Sequence, residues 1–203
     1  MAELPHDFRQ PWPGPINIEA DDPLPYLDCA ADLIAANWTD TLSAAIAERC
    51  HPWQIELFAI KVVHGELLNG GFCQFLINNG GKLAEEAVSG LERVGLFEIR
   101  ELLDEVFSHF ERPIKRNQLD RINTLAQRFD MEKYPFGSVE EAFGTRFKDL
   151  CEISQKSAPF FDPFTDRYYG LVGLSEDGWG RRGWGVPLCK FVDRHKEIFF
   201  RLD

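Results

Sequence analysis

Ile99, Leu102, Leu103, Val106, Phe107 and Phe110 recur at i, i+3, i+4, i+7, i+8 and i+11, a spacing that lines one face of an α-helix and no face of a strand. The same period gathers Leu27, Ala30, Ala31, Ile34 and Trp38, then Leu119, Ile122, Leu125, Ala126 and Phe129. It returns in Val139, Ala142, Phe143, Phe147 and Leu150, behind a capping box of Ser138 and Glu141. Between Trp53 and Val63 only Gln54, Glu56 and Lys61 are polar, so the helix opened by His51 and Pro52 is expected to be covered on most sides. Two-residue alternation is nearly absent. The expected fold class is all-α, a compact bundle of about seven to nine helices.

The ends of the chain differ from its middle. Residues 1–25 carry prolines at 5, 11, 13, 15, 23 and 25 and read as an arm, with Trp12, Ile16 and Ile18 as scattered anchors. Asp22 followed by Pro23 predicts an N-cap with proline in the first turn. Residues 26–203 form a single helical domain on this reading. Within it, 159–186 are rich in glycine and aromatic side chains and are expected to be irregular. The run holding Trp179, Arg181, Arg182 and Trp184 reads as a loop tucked into the bundle, or as a protein contact. A last helix is predicted over 187–202, with Leu188, Phe191, Val192, His195, Ile198, Phe199 and Leu202 on one face.

Charge excludes one class of function. The chain carries a formal net charge of −11, and residues 1–50 hold nine acids against two bases. Direct nucleic-acid binding needs the opposite sign. The acidic end reads either as a solvated face or as a surface for a basic protein, with Asp21, Asp22, Asp28 and Asp32 as the start of a carboxylate row; Asp28 and Asp32 lie one helical turn apart. Five cysteines stand singly with no C-x-x-C pair, and the N-terminus shows no basic start or apolar core of a leader, which suits reduced thiols in a cytoplasmic protein. No stretch approaches the roughly 20 apolar residues of a membrane span.

Catalytic and metal signatures are thin. The five histidines form no H-x-x-x-H or H-E-x-x-H pair. His195 falls on an apolar stripe and reads as a core histidine. No G-x-S-x-G or phosphate loop is present, and Cys73 is the one cysteine at a suggestive helix junction. Neither metal nor cofactor is expected.

Residues 66–80 stand apart. Asn69 is suited to cap a helix beginning near Gly70, Gly70 and Gly71 permit a tight reversal, and Phe72 anchors the short helix beyond them. Gln74 and Asn78, spaced i, i+4, share a face. One reading is a buried polar turn fixing a helical hairpin. Another is a small-molecule or enzymatic pocket of Glu66, Asn69, Gln74 and Asn78, with Glu66 as acid or base. The stretch also resembles the signature E-x-x-N-G-G-F-x-Q-x-x-x-N of a bacterial all-helical family of unknown general function, whose named member is DNA-mimic protein nineteen. Glu66, Asn69, Gly70, Gly71, Phe72, Gln74 and Asn78 carry the likeness, which extends over about residues 28–129. The resemblance implies a compact helical fold, an acidic dimer, no cofactor, and a basic transcription factor bound in place of DNA. An immunity-type inhibitor of a toxin is the alternative within the binding class.

Overall fold

The chain is organised around one long helix. A computed structural model describes residues 4–18, 22–38, 43–79, 83–108, 147–174 and 181–202. Among them are α1 (Pro23–Asn37), α2 (Ser43–Ala47), α3 (Pro52–Asn79), α4 (Ala84–Val94), α5 (Phe97–Phe107), α6 (Phe147–Val172), α7 (Val186–Arg194) and α8 (Lys196–Phe199). A π-helical turn, Arg181–Gly185, precedes α7. α3 packs against α1, α4 and α6, and its Ile55, Leu57, Phe58, Ala59, Ile60, Val63 and Leu67 are all buried. The fold is all-α. The helices expected around 119–129 and at Ser138 lie outside the described residues.

Local signals place the boundaries. The Asp22 carboxylate accepts from the Leu24 amide at 3.1 Å, with Pro23 in the first turn of α1. Gly95 ends α4 in the left-handed region, at φ 86°, where only glycine is unstrained. Ile99, Leu102, Leu103, Val106 and Phe107 are buried along α5, as their spacing predicts.

Two expectations are corrected. Residues 159–172 are not irregular but continue α6 without a break. Phe161, Thr165, Tyr168 and Val172 fall at i, i+4, i+7 and i+11 and are all buried. Burial of a large apolar side chain stabilises by about 1.5–3 kcal/mol, which over such a stripe offsets the about 3 kcal/mol cost of a proline inside a helix. The helix stops at Gly173, φ 72°. The last helix does not reach 202. It breaks at His195 (φ −121°), resumes as α8, and gives way to a strand, β2 (Phe200–Arg201). Leu202 is exposed, off the predicted apolar face.

That strand ties down the arm. β2 pairs in parallel with β1 (Gln10–Pro11), Gln10 opposite Phe200, and the Trp12 amide donates to the Arg201 carbonyl at 3.0 Å. Phe8 is buried, and Trp12, Ile16 and Ile18 pack half-buried on the core. Phe200 leaves the helix to meet the Tyr26 ring at 5.1 Å.

Candidate functional site

The signature residues build a kink in α3. Gly70 (φ −169°, ψ 24°) and Gly71 (φ 71°, ψ −169°) leave helical geometry, so residues 52–69 and 72–79 are two helical segments meeting at an angle. Gly71 needs to be glycine twice over. Its φ is left-handed, and a Cβ there would stand 2.7 Å from Thr165 Oγ1. α6 brackets the break with two hydroxyls one turn apart. Thr165 Oγ1 accepts from the Phe72 amide at 3.4 Å, and Tyr169 Oη donates to the Leu67 carbonyl at 2.8 Å. Capping of the second segment therefore involves α6, whereas Asn69, the expected cap, is exposed. Phe72 and Phe75 are fully buried beyond the kink, Phe75 against Phe107 and Phe72 against Tyr168.

The polar members of the motif are partly brought together. Gln74 folds back over Gly70, where any Cβ would collide with it, and its Nε2 donates to Glu66 Oε2 at 3.0 Å. The pairing expected between Gln74 and Asn78 is thus replaced, for Nε2, by one across the break. The side chain of Asn78 lies outside the described residues. Glu66 and Gln74 meet half-buried while Asn69 faces solvent.

A second polar cluster carries no sequence motif. Glu56, in the apolar run of α3, is 7% exposed, and its carboxylate accepts from Ser89 Oγ at 2.8 Å and from Arg93 at 2.6 and 3.0 Å. The hydrogen bond to Glu56 raises the Arg93 pKa, and the guanidinium also lies over the Trp53 ring at 5.1 Å. Gly90 lets α4 approach closely, since a Cβ there would sit 2.9 Å from Glu56 Cβ. A signal for the cluster exists all the same: Ser89 and Arg93 share a face of α4, opposite the lone acid of an apolar helix. Deeper in the core His64 Nδ1 meets the Tyr168 hydroxyl and stacks on Trp184, ring centroids 3.8 Å apart. Trp184 is buried, as the tucked-loop reading expects. Trp179 and the side chains of Arg181 and Arg182 lie outside the described residues.

The acids of the arm and α1 do not form an uncommitted row. Asp22 caps α1, Asp28 pairs with Lys61, Asp32 is exposed one turn further on, and Asp21 lies outside the described residues. α4 and α5 present a larger acidic face. Glu85, Glu86, Glu92, Glu98 and Glu101 are exposed, whereas Arg93 and Arg100 turn to Glu56 and Asp104. The described residues hold no histidine, cysteine and carboxylate group suited to a metal ion, and no helix long and apolar enough to cross a membrane. Cys73 is buried, and burial pushes the thiols of Cys50 and Cys189 up to about 11 and about 12, away from nucleophilic chemistry.

No curated protein and no solved structure matches the chain. The model of one family does, over residues 48–177, a span that includes the kink, the Glu56 cluster and the α4–α5 face, and leaves out α1 and its acids. On that match, which takes in well over half of the sequence, the chain belongs to the DMP19-like protein family.

Proposed function

We propose that the protein is a binding module whose acidic surface receives a basic protein, and that it acts as a DNA mimic, occupying a DNA-binding protein in place of the duplex. The observation that carries this reading is the α4–α5 face, where Glu85, Glu86, Glu92, Glu98 and Glu101 are exposed while Arg93 and Arg100 are drawn to Glu56 and Asp104, inside the residues matched to the family. Glu98, Glu101 and Glu105 line the solvent side of α5 over about 10 Å of helix, a length in which duplex DNA carries about six charges. One helix thus supplies about half the density of a duplex, and Glu105 is shared with Arg167 at 2.7 Å. The carboxylates of α4 make up the rest of the surface. Asp22, Asp28 and Asp32 form a secondary face, weakened by the ion pair of Asp28 with Lys61.

Affinity capture from native lysate, eluted across a salt gradient with partners identified by mass spectrometry, tests the reading. A basic DNA-binding protein leaving the column early in the gradient is the expected result. Capture of a toxin domain would favour the immunity-type alternative, and retention of no basic protein would return the face to simple solvation.

A further inference from the structure

Where the arm crosses the start of α3 it leaves a cleft of about 440 Å³, inside the range of roughly 300–1,000 Å³ typical of small-molecule sites. His6, Asp7 and Arg9 line it from the arm, Arg49, His51 and Gln54 from the α2–α3 junction, and Glu197 from α8. Its chemistry runs against the acidic character of the chain. Arg9, Arg93, Arg100 and Arg167 each hold a carboxylate. Arg49 is exposed in the cleft, and its partners among the described residues are the carbonyls of Leu4 and Pro5, both at a long 3.4 Å.

Two further donors have no acceptor among the described residues. His51 Nδ1 accepts from the Trp53 amide at 3.2 Å, which leaves the proton of the neutral ring on Nε2. Gln54 is 4% exposed and lines the cleft; its Oε1 accepts from the His51 amide at 2.9 Å, and this orients the amide with Nε2 as donor. That Nε2 is buried and has no partner among the described residues. A buried donor left unpaired is rare enough to ask what completes it. Asp7 does not, because its carboxylate is taken by the Arg9 guanidinium and amide. Glu197 gives its carbonyl to Arg9 and adds a negative side chain at the rim, which disfavours ligands with a second acidic group.

We propose that this cleft binds a small organic molecule bearing one carboxylate or phosphate group, whose oxygens are met by Arg49 and His51 Nε2 beside the Gln54 amide. The site joins the arm to the body of the protein and is separate from the acidic face. Titration of the ¹⁵N-labelled full chain with butyrate or with glycerol 3-phosphate, at constant ionic strength, tests it by NMR. Saturable shifts of the Gln54 side-chain amide and the Arg49 and His51 signals are expected, with a Kd below about 1 mM. Binding by one probe alone assigns the carboxylate or the phosphate class. Arg49→Gln should weaken binding by about tenfold or more, while Arg194→Gln, an exposed arginine of α7, should leave it unchanged. Absence of saturable shifts with either probe, shifts centred elsewhere, or undiminished affinity in Arg49→Gln would overturn the proposal. The position of the shifts in the unaltered chain decides the matter alone if Arg49→Gln does not fold.

Discussion

Gly71 is the residue at which sequence and geometry meet most tightly. Its left-handed φ and its contact with Thr165 both exclude a side chain, so Gly71→Ala should cost about 2–3 kcal/mol. Gly170 is the control. It is exposed on α6, and a methyl group there would have nothing within 4 Å, so Gly170→Ala should be neutral or stabilising by up to about 1 kcal/mol. Urea midpoints of the two variants test the pair, and equal midpoints would remove the strain argument. Glu56→Ala strands the Ser89 and Arg93 donors. With the Arg93 side chain 36% exposed and so partly rehydrated, a loss of about 1–3 kcal/mol is expected from the same measurement. At this scale the break at Gly70 and Gly71 is legible in the sequence, because glycine is what such a reversal demands. The hydroxyls that bracket it are not. Thr165 and Tyr169 lie 93 and 102 residues from their partners, and local spacing carries no record of which helix will pack there. Helical spacing pairs Gln74 with Asn78, and that logic fails once the kink carries Gln74 back to Glu66.

Among the elements, amphipathic helices are legible wherever the apolar stripe is long, as in α1 and α5. The α6 extension is hidden because Pro159, Pro163 and Gly170 suggest a loop, while the aromatic stripe beneath them holds the helix to the core. Proline is tolerated there for that reason. The end of the chain is hidden for a different reason: residues 200–201 are extended only because the arm is present to pair with them. The arm should therefore behave as a clasp with its own stability. Phe8→Ala removes the one buried anchor among the arm's described residues and should expose the arm to limited proteolysis while the helices melt nearly as before. A protease-resistant arm in that variant would show that the strand pair alone suffices. Gly183 supports another seam of the fold. Any Cβ there would run into the backbone of Val172, so the π-turn and α6 pack backbone to backbone.

For the molecule as a whole, burial sets the response to base. Burial pushes Cys50 up to about 11, Cys189 to about 12 and Tyr26 to about 12, and Tyr168, wholly enclosed, higher still. Each is raised above its unfolded value, so each contributes stability that is complete below the unfolded pKa, about 9 for a thiol and about 10 for a phenol, and is lost as pH rises through the folded value. Chemical denaturation at a series of pH values should show stability constant near neutrality and falling steadily between about pH 9 and 12. A flat profile across that window would mean these groups are open to water. On the acid side the Arg9 guanidinium and amide hold Asp7 below the usual carboxylate range, which helps fix the arm above that range and releases it as pH falls through the lowered value.

The fold class and the family-bearing motif are legible because both are written in local spacing. The acidic face is not, since a count of charges along the chain points to the N-terminal end and does not show that Arg93 and Arg100 are drawn off by Glu56 and Asp104. The central claim is that this surface stands in for DNA. Its most direct test is competition: a DNA-binding protein captured on the immobilised chain is challenged with duplex DNA, alongside the charge reversals Glu98→Lys with Glu101→Lys. Displacement by the duplex and weakened capture by the reversed surface are expected. Retention indifferent to both would contradict the claim.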